Sequence, residues 1–230
     1  MAERFEQQAA YVLHSRPYRD TSLLVDFFTL EQGRVPAVVQ GARRPGSRLR
    51  SILQPFVPIQ ISWRGRQELK TLQQAEAVGT MVLLQGNALL CALYVNELLQ
   101  RLLQPFDAHP RLYVYYQYVL NELLSGADVE GGLRTFEHRL LAELGCLPEL
   151  ADLDAQQLYL YEPDQGFVPI SQPSERHYSS CFWGYQLNAI AQDAYSEQEV
   201  KRAAKRLMRL AIDHQLGGTP LRSRSLFKKM

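Results

Sequence analysis

Cysteine is scarce in this chain. The 230 residues contain three, Cys91, Cys146 and Cys181, far apart and without a C-x-x-C pair. That excludes a disulfide framework and gives a zinc ribbon no support. Long hydrophobic runs are missing too. The longest unbroken apolar stretch is residues 88–95, against the roughly 20 residues a bilayer-spanning helix needs. The opening MAERFEQQ has no apolar signal-peptide core, so a cytoplasmic location is expected. Phosphate loops, dinucleotide fingerprints, nucleophile elbows and H-E-x-x-H pairs are all absent. The five histidines are scattered, with no partner at metal spacing. The expectation is a protein that is not an enzyme, with no cofactor and no metal.

What is present is charge, unevenly placed. The net charge is +1, but residues 1–80 carry +4, residues 81–170 carry −8 and residues 171–230 carry +5. Basic ends flank an acidic middle. That is the pattern of two separate basic surfaces, not of general stickiness.

The first of these centres on residues 41–56, GARRPGSRLRSILQPF. Arg43, Arg44, Arg48 and Arg50 fall in one stretch, and no acid occurs between Glu31 and Glu68. Gly41, Pro45, Gly46 and Ser47 argue against a regular element there. Around this loop, residues 9–80 alternate with a period of two: Tyr11/Leu13, Leu23/Val25/Phe27, Val35/Ala37/Val39 and Val57/Ile59/Ile61/Trp63, with a weaker run at 69–78. Turn-like residues separate the runs at 16–20, 31–33 and 64–66. Pro36 and Pro58 suggest edges or bulges. Five short strands in about 75 residues fit an OB-fold barrel, with an SH3-like barrel or an open antiparallel sheet as alternatives. The long connection after the third strand favours the OB-fold.

Beyond Gly79 the period becomes helical. Helices are expected at 87–104 with Asn87 as cap, at 110–124 with Pro110 in the first turn, and at 129–144 with Gly145 as the stop. The first of these is apolar except for Asn96, Glu97, Gln100 and Arg101. The tyrosines of the second, Tyr113, Tyr115, Tyr116 and Tyr118, read as packing residues. Residues 157–170 read as a hairpin, and 174–195 as a partly helical segment containing Phe182, Trp183 and Tyr185. The last helix is marked by a capping box, Ser196 to Glu199, and by Gly217. At 100° per residue, Ala203, Ala204, Leu207, Met208, Leu210 and Ala211 fall within about 80° of Val200. Lys201, Arg202, Lys205, Arg206 and Arg209 occupy the opposite face, and Arg222, Arg224, Lys228 and Lys229 follow. The fold class is therefore α+β: an N-terminal five-stranded OB-fold barrel at 1–80, then a mainly helical domain at 81–230 with a small β-hairpin insert.

Five stretches together resemble the RecO family of bacterial recombination mediators: YVLHSRPYRDTSLLVDFFT (11–29), GRVPAVVQGARRPGSRLRSILQPF (33–56), LYVNELLQRLL (93–103), LRTFEHRLLAELG (133–145) and AAKRLMRLAIDHQLGGTPLRSRSLF (203–227). The resemblance implies binding of single- and double-stranded DNA and annealing of complementary strands without ATP. It also implies work with RecR to load RecA onto DNA coated by single-strand-binding protein, and so a nucleoid-associated place in the cytoplasm. Some members carry a four-cysteine zinc site, which this sequence lacks. DNA contacts are then expected at Arg34, Arg43, Arg44, Arg48, Arg50, Arg64, Arg66 and Lys70 of the barrel and at Lys201, Arg202, Lys205, Arg206 and Arg209. In the family the acidic, Phe-terminated tail of single-strand-binding protein docks on the helical domain. The matching segment here holds Arg134, with Leu133, Phe136, Arg139, Leu140 and Leu141 around it. The plain alternative for Arg134 is a contact one turn along its own helix, with Glu137 or His138. Two other functional classes stay open: a protein–protein adaptor that grips no DNA, and an enzyme whose site is assembled only in three dimensions.

Overall fold

The computed structural model describes residues 4–79, 83–174 and 177–227. Lys228 and Lys229 lie outside the described residues. The strands β1 (Arg4–Tyr18), β2 (Ser22–Thr29), β3 (Gly33–Val39), β4 (Ile59–Arg64) and β5 (Lys70–Ala77) close into a barrel in the order β1-β2-β3-β5-β4. The β3–β5 seam is parallel and the other seams are antiparallel. This is the OB-fold arrangement; the open-sheet alternative is excluded by closure. Closure is possible because β1 pairs twice, its first half with β4 and its second with β2. Register shifts between Phe5 and Gln8 and between Val12 and His14 bend it round the corner.

The barrel interior holds Ala10, Val12, Val25, Phe27, Val35, Ala37, Val39, Ile59, Ile61 and Trp63. The alternation in β2, β3 and β4 points as expected. In β1 it does not: Ala10 and Val12 face the barrel, while Tyr11 and Leu13 are buried outside it. Both faces of this strand are covered, so both sets are apolar and alternation no longer tells inside from outside. The first turn is also shorter than expected, because Arg16, Pro17 and Tyr18 remain in β1. Pro36 precedes Ala37 and Val38, the two residues of β3 that pair with β5, so its missing N–H breaks no ladder bond on that side. Pro58 lies just outside β4.

The helices are α1 (Leu49–Ile52), α2 (Gly86–Leu102), α3 (Pro110–Ser125), α4 (Val129–Glu143), α5 (Gly184–Ala191), α6 (Gln198–Gln215) and α7 (Arg222–Leu226). Three more strands, β6 (Leu158–Glu162), β7 (Gly166–Ile170) and β8 (Cys181–Trp183), form a second sheet in the order β7-β6-β8. None of the described helices is long and apolar enough to cross a membrane.

Packing divides the chain into two compact units, Met1–Leu124 with Leu221–Met230, and Ser125–Pro220. The helical part thus does not pack as one body after residue 80. In the first unit, the outer face of β1 and β2 explains why. Tyr11 and Phe28 are buried under α3, with Tyr11 edge-on to Tyr116 at 5.0 Å and Phe28 against Tyr113 at 5.4 Å between ring centroids. Such pairs contribute about 0.5–1.5 kcal/mol each beyond area burial. The polar stripe of α2 does the remaining docking. Asn96, buried, donates to the carbonyls of Val12 and Leu13 at 3.2 and 3.0 Å and accepts from Tyr116 Oη at 2.8 Å. Gln100 donates to Asp26 at 3.0 Å. Glu97 accepts from the backbone N–H groups of Arg222 and Ser223, both at 2.8 Å, and from the Ser223 hydroxyl at 2.5 Å. It thereby caps α7 and returns the C-terminal segment to this unit. The few polar residues of this helix hold the unit together.

One glycine is required here. Gly33, at φ +63°, turns β2 into β3 so close to the α2–α3 connection that an added Cβ would lie 1.7 Å from the Asp107 carbonyl oxygen.

In the second unit α6 packs against α4 and α5. Its buried stripe is Val200, Ala203, Ala204, Leu207, Met208, Ala211 and Ile212, as the period requires, with Leu210 half-buried. The capping box does not form. The helix starts at Gln198 with Glu197 at the cap position and no side-chain cap bond, and Glu199 instead accepts from the Tyr185 hydroxyl at 2.9 Å. Asn87 likewise lies inside α2 and caps nothing, Gln85 being the cap residue. Gly145 and Gly217 both have positive φ at the stops expected of them.

Candidate nucleic-acid interface

The arginine loop is more ordered than its composition suggests. Gly41 and Gly46 take φ of +68° and +75°, and successive turns close Arg44 N–H on the Gly41 carbonyl and Ser47 N–H on that of Arg44, both at 3.1 Å. Residues Leu49–Ile52 then form a regular element after all, the single turn α1. Ala42 and Leu53 are buried in the barrel core, and Leu49 and Ile52 pack against it. The apolar residues pin the loop, and Arg43, Arg44, Arg48 and Arg50 are left exposed between them. That division, not flexibility, displays the charges.

Strand register gathers further cations at the same end of the barrel. Val39, where the loop begins, pairs with Leu23, just after the β1–β2 turn. Ala37 pairs with Lys70, just after the β4–β5 connection. Arg43 Nη1 lies 3.3 Å from the carbonyls of Arg19 and Asp20 and donates to both, joining loop to turn directly. Arg19, Arg43, Arg44, Arg64 and Arg66 therefore surround the C-terminal end of β3, all exposed, with Arg48 and Arg50 on α1 beside β5. Among the described residues Arg44, Arg48, Arg50 and Arg64 make no ion pair. Arg19 was missed in the sequence, although it sits in a recognised turn; only the bond from Arg43 shows that this turn meets the loop.

Two expected members of the barrel set are committed elsewhere. Arg34 is ion-paired with Asp26 at 2.8 Å and donates Nε to the Leu103 carbonyl at 3.0 Å, so its charge ties β3 to β2 and to the end of α2. Lys70 is buried, donates to the Gly65 carbonyl at 3.1 Å and stands 4.6 Å over the Phe106 ring. Neither is presented to a phosphate.

The face of α6 is also partly answered from within its own unit. Lys201 pairs with Asp128 at 3.0 Å. Hydrogen bonding from Gly131 N–H and from Lys201, against some burial, holds the Asp128 carboxyl below its ordinary value. Arg206 donates to the Cys181 carbonyl at 3.2 Å and lies over Phe182. Arg209 makes a loose i,i+4 contact of 3.7 Å with Asp213. Arg202 and Lys205 are exposed and make no ion pair among the described residues.

The residues expected to dock an acidic tail are interior. Phe136, Leu140 and Leu141 are fully buried and Leu133 nearly so. Arg134 is buried with its Nη1 2.7 Å from Glu137 Oε2, a carboxylate that is only 1 % exposed. The helix-neighbour alternative is the one realised, because the Arg134 guanidinium turns inward one turn along α4. Arg139 is a third exposed and bonded to Asp193, whose other oxygen lies 3.1 Å from His138 Nδ1. Burial tends to raise the Asp193 carboxyl, but the His138 and Arg139 bonds outweigh it and hold it below the usual range.

Cys91 and Cys181 are buried and Cys146 is partly exposed. Among the described residues no three His, Cys, Asp or Glu side chains gather as metal ligands.

A closed five-stranded barrel in this strand order, here with an arginine rim, defines an OB-fold protein. Sequence comparison makes the class specific. The models described as Recombination protein O N terminal and Recombination protein O C terminal match residues 1–81 and 83–152. The DNA repair protein RecO of Pseudomonas aeruginosa is 45% identical over 226 residues, covering 96% of this chain and 94% of that protein. That of Methylococcus capsulatus is 42% identical over 226 residues, covering 95% and 91%. That of Ralstonia nicotianae is 41% identical over 229 residues, covering 97% and 84%. The chain belongs to the RecO family, and its role lies in DNA repair and recombination.

Proposed function

We propose that this protein binds single- and double-stranded DNA through the barrel rim and anneals complementary strands without ATP. With RecR it helps load RecA onto strands coated by single-strand-binding protein, whose acidic tail it recognises. The observation that carries the reading is the rim itself: exposed arginines from three connections of one barrel, with no carboxylate opposite Arg44, Arg48, Arg50 or Arg64 among the described residues. Annealing needs two like-charged strands to be screened on one protein without tight base readout, and phosphate contacts without sequence preference supply that. On this reading the phosphate contacts of the barrel are drawn from Arg19, Arg43, Arg44, Arg48, Arg50, Arg64 and Arg66. Arg202, Lys205 and Arg209 are a second basic surface.

Neutralising about four to six phosphates gives a slope of log affinity against log salt of roughly −3 to −4 for single strands. Titrating labelled single strands across salt concentrations measures it, and a salt-independent affinity refutes the electrostatic reading. Strand annealing with single-strand-binding protein, intact or deprived of its tail, tests the partner half. Stimulation that survives loss of the tail removes tail recognition. DNA binding indifferent to the rim arginines leaves the adaptor reading.

A further inference from the structure

The second unit contains a cavity of about 500 Å³, lined in part by Tyr178, Trp183, Tyr185, Glu199, Arg202 and Arg206. A volume of this order is what small planar ligands occupy. Tyr178 is 73%, Trp183 43% and Tyr185 42% exposed. Three large rings thus border one concavity, with faces available for stacking.

The polar groups give the cavity a direction. Arg206 is fixed by its bond to the Cys181 carbonyl and by the Phe182 ring, 5.1 Å from its guanidinium carbon. Its Nε is buried and has no hydrogen-bond acceptor among the described residues. Arg202, one turn earlier on α6, is exposed and makes no ion pair among them. Glu199 lies three residues before Arg202 and accepts from the Tyr185 hydroxyl, with further lone pairs left to accept a second donor. The cavity therefore offers ring faces, two guanidinium groups and one carboxylate. An unpaired nucleotide matches all three: a flat base to stack, a phosphate for the arginines, and an exocyclic amino group for the carboxylate. A duplex keeps its bases stacked within itself and has no free face to offer.

We propose that this cavity holds one or two unpaired nucleotides of a single strand. The bases lie against Trp183 and Tyr178, and the phosphate meets the guanidinium groups of Arg202 and Arg206. The inference rests on the DNA-binding reading and adds to it a site selective for single strands.

The chain has two tryptophans, and Trp63 is buried in the barrel, so Trp63→Phe leaves Trp183 as the reporter. The full chain is titrated with an oligodeoxycytidine of about 12 nucleotides and with a duplex of the same length, reading indole fluorescence. The anisotropy of the labelled strands is followed with Trp63 intact, so that arm stands even if Trp63→Phe loses the fold. Single strands should quench Trp183 and the duplex should not. Trp183→Ala should weaken single-strand affinity about tenfold, Trp183→Phe should largely restore it, and duplex affinity should be unchanged. Arg202→Ala should flatten the single-strand salt slope by about 0.7. Binding of the labelled strand with Trp183 unquenched and its substitution silent overturns the cavity proposal while leaving the rim reading intact. Absence of any strand binding overturns both. Quenching by an acidic, phenylalanine-terminated peptide but not by the single strand overturns it in favour of a peptide site.

Discussion

The barrel rim and helix α6 carry almost the same sequence signal, a dense run of cations without interleaved acids, yet they differ as surfaces. On the rim, Arg44, Arg48, Arg50 and Arg64 make no ion pair among the described residues, although the exposed acids Asp20 and Glu68 stand in the same connections. On α6, Lys201 is answered by Asp128, Arg206 by a backbone carbonyl and a ring, and Arg209 loosely by Asp213. One of these partners is a distant acid, Asp128 being 73 residues from Lys201 in the chain. Cation density marks a surface, but the partners supplied from elsewhere decide how much of it faces outward.

The largest test of this contrast is Arg43/Arg44/Arg48/Arg50→Ala. Removing four phosphate contacts should flatten the single-strand salt slope by about 3, which at 50 mM salt, relative to 1 M, is an affinity loss on the order of several thousandfold. The same treatment of Lys201 and Arg206 should do far less. Equal losses would abolish the distinction.

Arg134→Ala should act on the other axis. It removes one partner of a buried carboxylate, and breaking such a pair costs up to about 3–5 kcal/mol. Thermal or urea unfolding should register this while DNA affinity in the folded protein stays unchanged. A stable variant with weakened tail binding would restore Arg134 as a docking residue.

The acid side of the comparison is read by pH. Burial raises the Glu97 carboxyl, but the bonds from Ser223 and Arg222 prevail and hold it below its ordinary value of 4.5. A depressed carboxylate contributes stability that is complete above its unfolded value and disappears as pH falls through the folded one. The contact of α7 with α2 should therefore persist at neutral pH and loosen below about pH 4.5, as proton uptake begins. Hydrogen exchange at Arg222 and Ser223 across that range checks it, with Glu97→Gln expected to remove most of the pH dependence. The smallest effect is expected at Lys201→Ala. An exposed pair is worth about 0.2–1 kcal/mol, and an affinity change beyond the loss of one phosphate contact would show Lys201 already free for DNA.

Much of this architecture could be read from residues alone, and the failures have a common cause. The β2, β3 and β4 patterns and the α6 stripe were legible because one face is buried and the other is not. β1 misled because α2 and α3 cover its outer face. The docking roles of Asn96, Glu97 and Gln100 were not legible because their partners, Val12, Ser223 and Asp26, lie far along the chain. Arg34, Lys70 and Arg134 were taken for surface cations for the same reason. Arg19 and the Trp183 cavity were missed because neither follows a local period.

By itself the sequence determined the barrel, the helices, the arginine loop, and the absence of metal-ligand spacing and phosphate-loop motifs. Period, turn chemistry and composition are local quantities, and those features depend on nothing else. Only the tertiary structure decided which cations are exposed, which helices complete the barrel's unit, and that aromatic rings and arginines share a cavity. Exposure and ion pairing depend on which distant groups arrive opposite a side chain, and that is set by the closed fold.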